Sequence, residues 1–417
     1  MKRPIKKQKL NLTTRCGIVL AASQLFMCVA WADDAATIAD LKARLATVER
    51  NVDQLSENGG NASADPGIPV HGFADVGFTR ASNDDTRLDQ AGHGFWANAL
   101  DFYLTPQFTD RSKALVELIF EFLPDGLATD LERIQLGYTF SDRLTTWVGR
   151  FHAPYGYWNT GYHHGAQIQT SITRPRFIDF EDKGGLLPAH VMGAWATGDV
   201  PIGSAKLNYD LYIGNGNAIV GVGDVTTPTP RGYLTINNAR DSNNNTLVGA
   251  NVGYKMGGMV VGVHGFSQRV NIIDNTLGDM GEVSVKMTGL YGAYEDDNWE
   301  SIAEYYHFKN DNLMVPGVTT SNASWLGFAQ IGRDIGHDWM PYLRVEKGSL
   351  DQGDPYFNAQ AYGVSYKREV VGARYMLNAK AALKLEMNRT KEGDGVPTVG
   401  DPNGNYREVR AQYSIRF

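Results

Sequence analysis

The stretch Val409-Arg410-Ala411-Gln412-Tyr413-Ser414-Ile415-Arg416-Phe417 decides the fold. Val409, Ala411, Tyr413, Ile415 and Phe417 fall on one face of a strand; Arg410, Gln412, Ser414 and Arg416 fall on the other. A period of two marks a strand between two environments. An apolar face ending on an aromatic, backed by a face carrying two arginines, suits a wall between lipid and water.

The alternation recurs upstream. Leu383, Leu385 and Met387 interleave with Lys384, Glu386 and Asn388, and Leu343 and Val345 with Arg344 and Glu346. Ile134, Leu136, Tyr138 and Phe140 interleave with Arg133, Gln135 and Thr139; Leu207, Tyr209, Leu211 and Ile213 do so with Lys206, Asn208, Asp210 and Tyr212. An Arg or Lys on a lipid face at mid-depth costs about 2–4 kcal/mol, so the charged face is expected to look inward, onto water.

Connection lengths alternate as well. Short turns are expected at Thr109–Ser112, Ser141–Arg143, Gly198–Ser204, Met256–Met259, Glu295–Asn298, Arg333–Asp338 and Asn378–Lys380. Longer segments separate them: Arg80–Gly94, Leu123–Thr129, His152–Ala189, Asn215–Asn245, Asn271–Gly281, Asn310–Ala323, Gly348–Asn358 and Lys391–Asn405. The pattern predicts an all-β, antiparallel transmembrane barrel over residues 70–417 with about 16 strands, wide enough for an aqueous channel. Ala359–Leu377 is long for one strand; a turn at Lys367-Arg368-Glu369 would add a strand and spoil the parity.

The other end agrees. Lys2, Arg3, Lys6, Lys7, Lys9 and Arg15 precede an apolar run from Cys16 to Ala30, and Ala30-Trp31-Ala32 has the small-x-small form of a cleavage site. Residues 1–32 therefore read as a cleaved signal peptide, too short to span a bilayer as a helix. Acylation at Cys28 is disfavoured because Met27 is not small. Both cysteines lie in this leader, so the mature chain has no disulfide and no thiol chemistry. The whole chain carries −7, and from Asp33 onward 33 basic residues face 46 acidic ones, a net −13. Such acidity argues against nucleic acid as a partner.

Residues 33–57 have a helical period instead. Ile38, Leu41, Leu45, Val48, Val52 and Leu55 are spaced 3, 4, 3, 4, 3, an a/d seam. One such helix is too short to stand alone, so the segment is expected to oligomerise as a coiled coil; packing on its own domain is the alternative. Residues 58–69 form a polar linker opening on Asn58-Gly59-Gly60. Ile and Val at a with Leu at d lean toward two helices.

The connection His152–Ala189 holds the densest chemistry, with Tyr155, Tyr157, Trp158, Tyr162, Phe177 and Phe180. So long and aromatic a loop needs a surface to pack on, and the barrel mouth provides one. Arg174, Arg176 and Lys183 set against Asp179, Glu181 and Asp182 suggest a charged constriction; mutual pairing that holds the loop explains the same charges. Arg133, Arg150, Arg344, Arg374, Lys384 and Arg410 are candidates for a basic pore lining. Adjacent His163 and His164 point opposite ways in an extended segment, so even with His152 and His190 no metal site is expected. His164 and Ser171 offer a base and a hydroxyl, with no motif joining them.

Taken together, the terminal strand Tyr413…Phe417, the heptads Ile38–Leu55 and the stretch Gly149-Arg150-Phe151-His152-Ala153-Pro154-Tyr155-Gly156 make the chain resemble Gram-negative outer-membrane porins, nearest the phosphate-selective and dicarboxylate group with a periplasmic coiled coil. The resemblance implies a homotrimer of sixteen-stranded barrels, an inward-folded third loop, and recognition of Phe417 by the barrel assembly machinery. A lysine- or arginine-rich loop of the phosphate-binding kind is missing. The resulting expectation is an outer-membrane porin passing small hydrophilic solutes, surrounded by outer-membrane lipid, with no cofactor and no enzymatic step. Its rivals are a non-conducting structural or adhesion barrel and a barrel phospholipase. Solute and ion preference stay open.

Overall fold

The computed structural model describes residues 69–82, 93–123, 126–162, 166–178, 185–223, 231–236, 240–241, 243–393 and 405–417. The expected signal peptide (1–32), the expected coiled coil (33–57) and nearly all of the expected linker (58–69) lie outside the described residues. So do His163, His164, Asp179, Glu181, Asp182 and Lys183.

The chain from Ile68 to Phe417 is one unit built of strands. These are β1 (Val70–Ala81), β2 (His93–Leu104), β3 (Ser112–Leu123), β4 (Gly126–Ser141), β5 (Leu144–His152), β6 (His190–Ile202), β7 (Ala205–Asn215), β8 (Ala218–Val222), β9 (Tyr233–Leu234), β10 (Thr246–Met256), β11 (Met259–Asp274), β12 (Gly278–Glu295), β13 (Trp299–Asn312), β14 (Thr320–Arg333), β15 (Trp339–Ser349), β16 (Tyr366–Asn378), β17 (Ala381–Glu392) and β18 (Asn405–Arg416). Two single-turn helices, α1 (Trp158–Gly161) and α2 (Pro355–Asn358), lie in connections.

All of these except β8 and β9 form a closed antiparallel wall of sixteen strands. Closure comes from β1 against β18, in register from Phe73↔Arg416 to Ala81↔Glu408. Closing the sheet leaves no unpaired edge, which a wall in lipid requires. Beyond the start of β10, β8 takes its place beside β11, pairing in parallel at Asn271↔Ala218.

Every short turn expected from the sequence separates the predicted pair of strands. Two connections expected to be long are tight instead. β3 and β4 pair through Leu123↔Gly126, and β11 and β12 through Asp274↔Gly278. At the second, the Asp274 carboxylate accepts from the amides of Thr276 and Leu277, replacing a loop by a side-chain-closed turn. The region Ala359–Leu377 adds no strand: Lys367–Glu369 pairs with both neighbours inside β16. The surplus length before Tyr366 follows α2, where the Asp354 carboxylate caps the Tyr356 amide.

Burial alternates as the period-two reading demands. On β17, Leu383, Leu385 and Met387 are exposed while Lys384, Glu386 and Asn388 are buried. Lipid-facing leucines and lumen-facing charges thus share one strand.

Candidate functional site: the loop held across the barrel

The connection between β5 and β6 leaves the wall at Ala153 and returns at Ala189. Its feet are tied together: the Ala153 amide donates to the Ala189 carbonyl at 2.8 Å. The Asn159 amide nitrogen donates to both carbonyls, of Ala153 at 2.9 Å and Ala189 at 3.2 Å. Between the feet the described residues, 154–162, 166–178 and 185–188, fold against the inner face of β13–β17.

A buried loop must find partners for its backbone. Here the wall side chains supply them. Glu304 accepts from the amides of Tyr157 (2.9 Å) and Trp158 (2.6 Å). Glu386 accepts from the amides of Ile172 (2.9 Å) and Thr173 (3.1 Å), and from the Thr173 hydroxyl. Glu346 accepts from the Arg176 amide at 2.7 Å, and Glu300 from the Thr170 hydroxyl. Cations serve the carbonyls. Arg344 donates to Thr173 O (2.7 Å) and Arg174 O (3.0 Å), and Arg374 to Ile168 O (3.2 Å). Lys384 donates to the carbonyls of Ala166, Gln169 and Ser171.

Apolar contact completes the fit. Trp158 meets Phe328 edge-on at 5.7 Å, and Phe177 meets Tyr306 likewise at 5.0 Å. The Tyr356 hydroxyl, just inside α2, donates to Leu186 O at 2.6 Å. Gly156 has φ of +63°, and a Cβ there would collide with the Glu304 carboxylate and the Tyr306 hydroxyl. Glycine is therefore the residue that lets the loop approach the wall.

The candidate pore lining divides by environment. Arg344 and Lys384 are covered by the loop, and Arg176 is buried against Glu392 with its guanidinium 4.8 Å from the Tyr366 ring centre. Arg174 stays half-buried. Arg133 pairs with Glu117, and Arg410 with Glu408 at 2.9 Å. Arg374, beyond its bond to the loop, lines a cavity. Ser171 is enclosed, its hydroxyl donating to Thr173 O and accepting from Arg344.

At the feet of the loop, His152 and His190 come together with Glu132, a partner the sequence did not suggest. Arg150 lies 3.3 Å from His190 Nδ1, and His190 Nε2 lies 2.8 Å from Glu132. Nδ1 accepts from the guanidinium, and Nε2 faces the Glu132 carboxylate. The ligand atoms of Glu132, His152 and His190 lie within 4.8 Å of one another, a buried cluster with the spacing of a metal-holding group that the sequence reading did not expect.

Space remains beside the loop. A cavity of about 640 Å³ lies between Gly156–Gly161 and the wall at β7 and β10–β12, with Lys255, Glu295, Asp296 and Asp297 at its rim. A second, of about 490 Å³, shares Tyr157, Gly161 and Glu295 and is bordered by Glu300, Arg374 and Arg416. The Tyr294 hydroxyl and the amides of Asn298 and Trp299 hold the Asp296 carboxyl below its usual range, which keeps this rim negative.

No protein-family model and no curated protein matches the sequence. Solved structures do. The chain is similar to the anion-selective porin from Comamonas acidovorans at 14% identity and TM-score 0.54, covering 84% of this chain and 99% of that one. It is similar to the outer membrane channel DcaP of Acinetobacter baumannii at 11% identity and TM-score 0.52, covering 85% of this chain and 99% of that one. For OmpT, an outer membrane protein of Vibrio cholerae, the values are 10% and 0.52, covering 84% and 97%. The fold of this chain is that of the outer-membrane porins.

Proposed function

We propose that this protein is a diffusion channel for small hydrophilic solutes in the outer membrane of a Gram-negative bacterium, narrowed by the segment Ala153–Ala189. The observation that carries the proposal is the loop bound to wall side chains through its backbone, with polar cavities left open beside it. A loop held this way narrows the lumen without sealing it, and charged groups at a narrowing select among solutes. Covalent chemistry has no part in this reading, because the Ser171 hydroxyl is fully engaged. The finer likeness to phosphate-selective and dicarboxylate porins rests on the heptads Ile38–Leu55 and the stretch Gly149–Gly156. Trimeric assembly, with the heptads as its tie, belongs to the same proposal.

Planar bilayers test it. Purified full-length protein is expected to open in steps grouped in threes. Silence from a folded barrel would favour the plugged, structural alternative; single independent steps would remove the trimer and leave the channel.

A further inference from the structure

The strands that carry the feet of the loop also carry a cluster that solute passage does not use. His152 ends β5 and His190 begins β6, and the two are direct cross-strand partners. Neighbours along one strand point opposite ways, but partners across a ladder share a face, with Cβ atoms about 5 Å apart. The ring centroids of His152 and His190 are accordingly 5.1 Å apart.

A third member arrives through a bulge. β3 and β4 pair Glu117 with Arg133 and Leu118 with Leu131, which leaves Glu132 as the extra residue. Strict alternation would put Glu132 on the face of Ile134, which is exposed on the outer wall. The bulge re-aims it. Glu132 and Arg133 both turn inward, Arg133 to Glu117 and Glu132 to His190, whose Nε2 is 2.8 Å away. Glu132, His152 and His190 are 0%, 4% and 2% exposed, and their ligand atoms lie within 4.8 Å of one another. The Glu117 carboxylate approaches from the other side, 3.7 Å from His152 Nε2.

We infer that Glu132, His152 and His190 bind a divalent transition-metal ion of the zinc class, with Glu117 or a water in the fourth position. Two imidazoles and a carboxylate suit such an ion, whereas Mg²⁺ and Ca²⁺ require six or more oxygens. Tetrahedral zinc ligands lie about 3.3 Å apart, and side-chain rotation brings the cluster to that spacing. Coordination through His190 Nε2 leaves the ring proton on Nδ1. The Arg150 guanidinium, now 3.3 Å from Nδ1, then turns to the Asp130 carboxylate, 3.6 Å from it. Asp130, 30% exposed, also marks the way in from solvent. An ion held here joins β5 to β6 where the loop departs and returns.

The test is isothermal titration of untagged, full-length protein in detergent, first dialysed against a chelator, with Zn²⁺ and separately with Mg²⁺ and Ca²⁺. Uptake of one Zn²⁺ per chain is expected, with neither of the other ions bound at equal concentration. His152→Gln and Glu132→Gln should each lower the affinity by more than about a hundredfold, the upper end for losing even an outer partner of a metal ligand. His307→Gln, at an exposed histidine of β13, is the control and leaves the affinity unchanged. Absence of stoichiometric Zn²⁺, equal uptake of Mg²⁺ or Ca²⁺, or an equal loss in the control overturns the inference. Binding lost only on combining His163→Gln with His164→Gln overturns it as well. Should the variants not fold by heat-modifiable gel mobility, zinc K-edge absorption of the unaltered protein decides. Two imidazoles and a carboxylate at about 2.0–2.2 Å support the site, and fewer than two imidazoles overturn it. Conductance enters none of these readings, so the metal site and the channel stand or fall separately.

Discussion

Two arcs of the same barrel use the same residue types for different work. Where the loop leaves the wall, on β3–β6, charges answer charges. Arg133 meets Glu117, and Arg150, His190 and Glu132 form a side-chain chain. Where the loop lands, on β13–β17, charges answer backbone. Glu304, Glu346 and Glu386 accept loop amides, while Arg344 and Lys384 donate to loop carbonyls. A buried ion pair is self-contained and is weak evidence for stability. A charge that satisfies an irregular buried backbone has no apolar substitute, because the amide it serves is present whatever the side chains are.

The largest expected effect breaks the landing arc. Glu386→Ala strips the amides of Ile172 and Thr173 and leaves Arg344 with less compensation. Removing one member of a buried charged network costs about 3–5 kcal/mol. Single-channel conductance should rise as the loop comes loose, with limited trypsin cutting after Arg176. Unchanged conductance in a folded variant would show that this contact does not hold the loop.

Gly156→Ala is expected to act at the neighbouring contact with a smaller effect. A side chain at φ +63° costs about 1–2 kcal/mol, before the clash with Glu304. Conductance noise from loop motion should increase while thermal stability of the barrel holds; a quiet channel would count against this anchor.

The departing arc should respond in the opposite manner. Glu132→Gln removes the negative charge facing His190 and Arg150 and is expected to lower stability by about 1–3 kcal/mol. Conductance should stay as it was, since the amides of Trp158, Thr173 and Arg176 are held by Glu304, Glu386 and Glu346 on the other arc. A conductance change equal to that of Glu386→Ala would erase the distinction between the arcs.

The smallest effect is one of pH. Burial raises the Asp354 carboxyl to about 6 from an ordinary value of 3.8. The folded state thus binds the proton more tightly than the unfolded one. The stability tied to that proton is fully present below 3.8 and is lost as pH rises through 6. Hydrogen exchange at the amides of α2, corrected for intrinsic rate, should be slower at pH 5 than at pH 7. The reverse order would mean that the ionised cap is the stabilising form.

The alternation around Val409–Phe417 and Leu383–Asn388, with the spacing of short turns, was enough to specify a sixteen-stranded barrel and the face each side chain takes. Both are local properties: a strand shows its two environments every second residue, and a turn is written in its own few residues. The two tight hairpins differ from the expectation because Gly126–Thr129 and Asn271–Asp274 continue the ladder, and glycine or polar residues alone do not end a strand. The aromatic loop was legible as a segment needing a surface. Its landing place was not, because Glu304 and Glu386 lie 146 and 213 residues from the amides they hold. Nor was the place of Glu132 beside His152 and His190, which a bulge in β4 decides. Sequence by itself determined which side of the wall each residue faces. Tertiary structure alone decided what meets it there, because contact across a closed barrel depends on registers and curvature that no local pattern encodes.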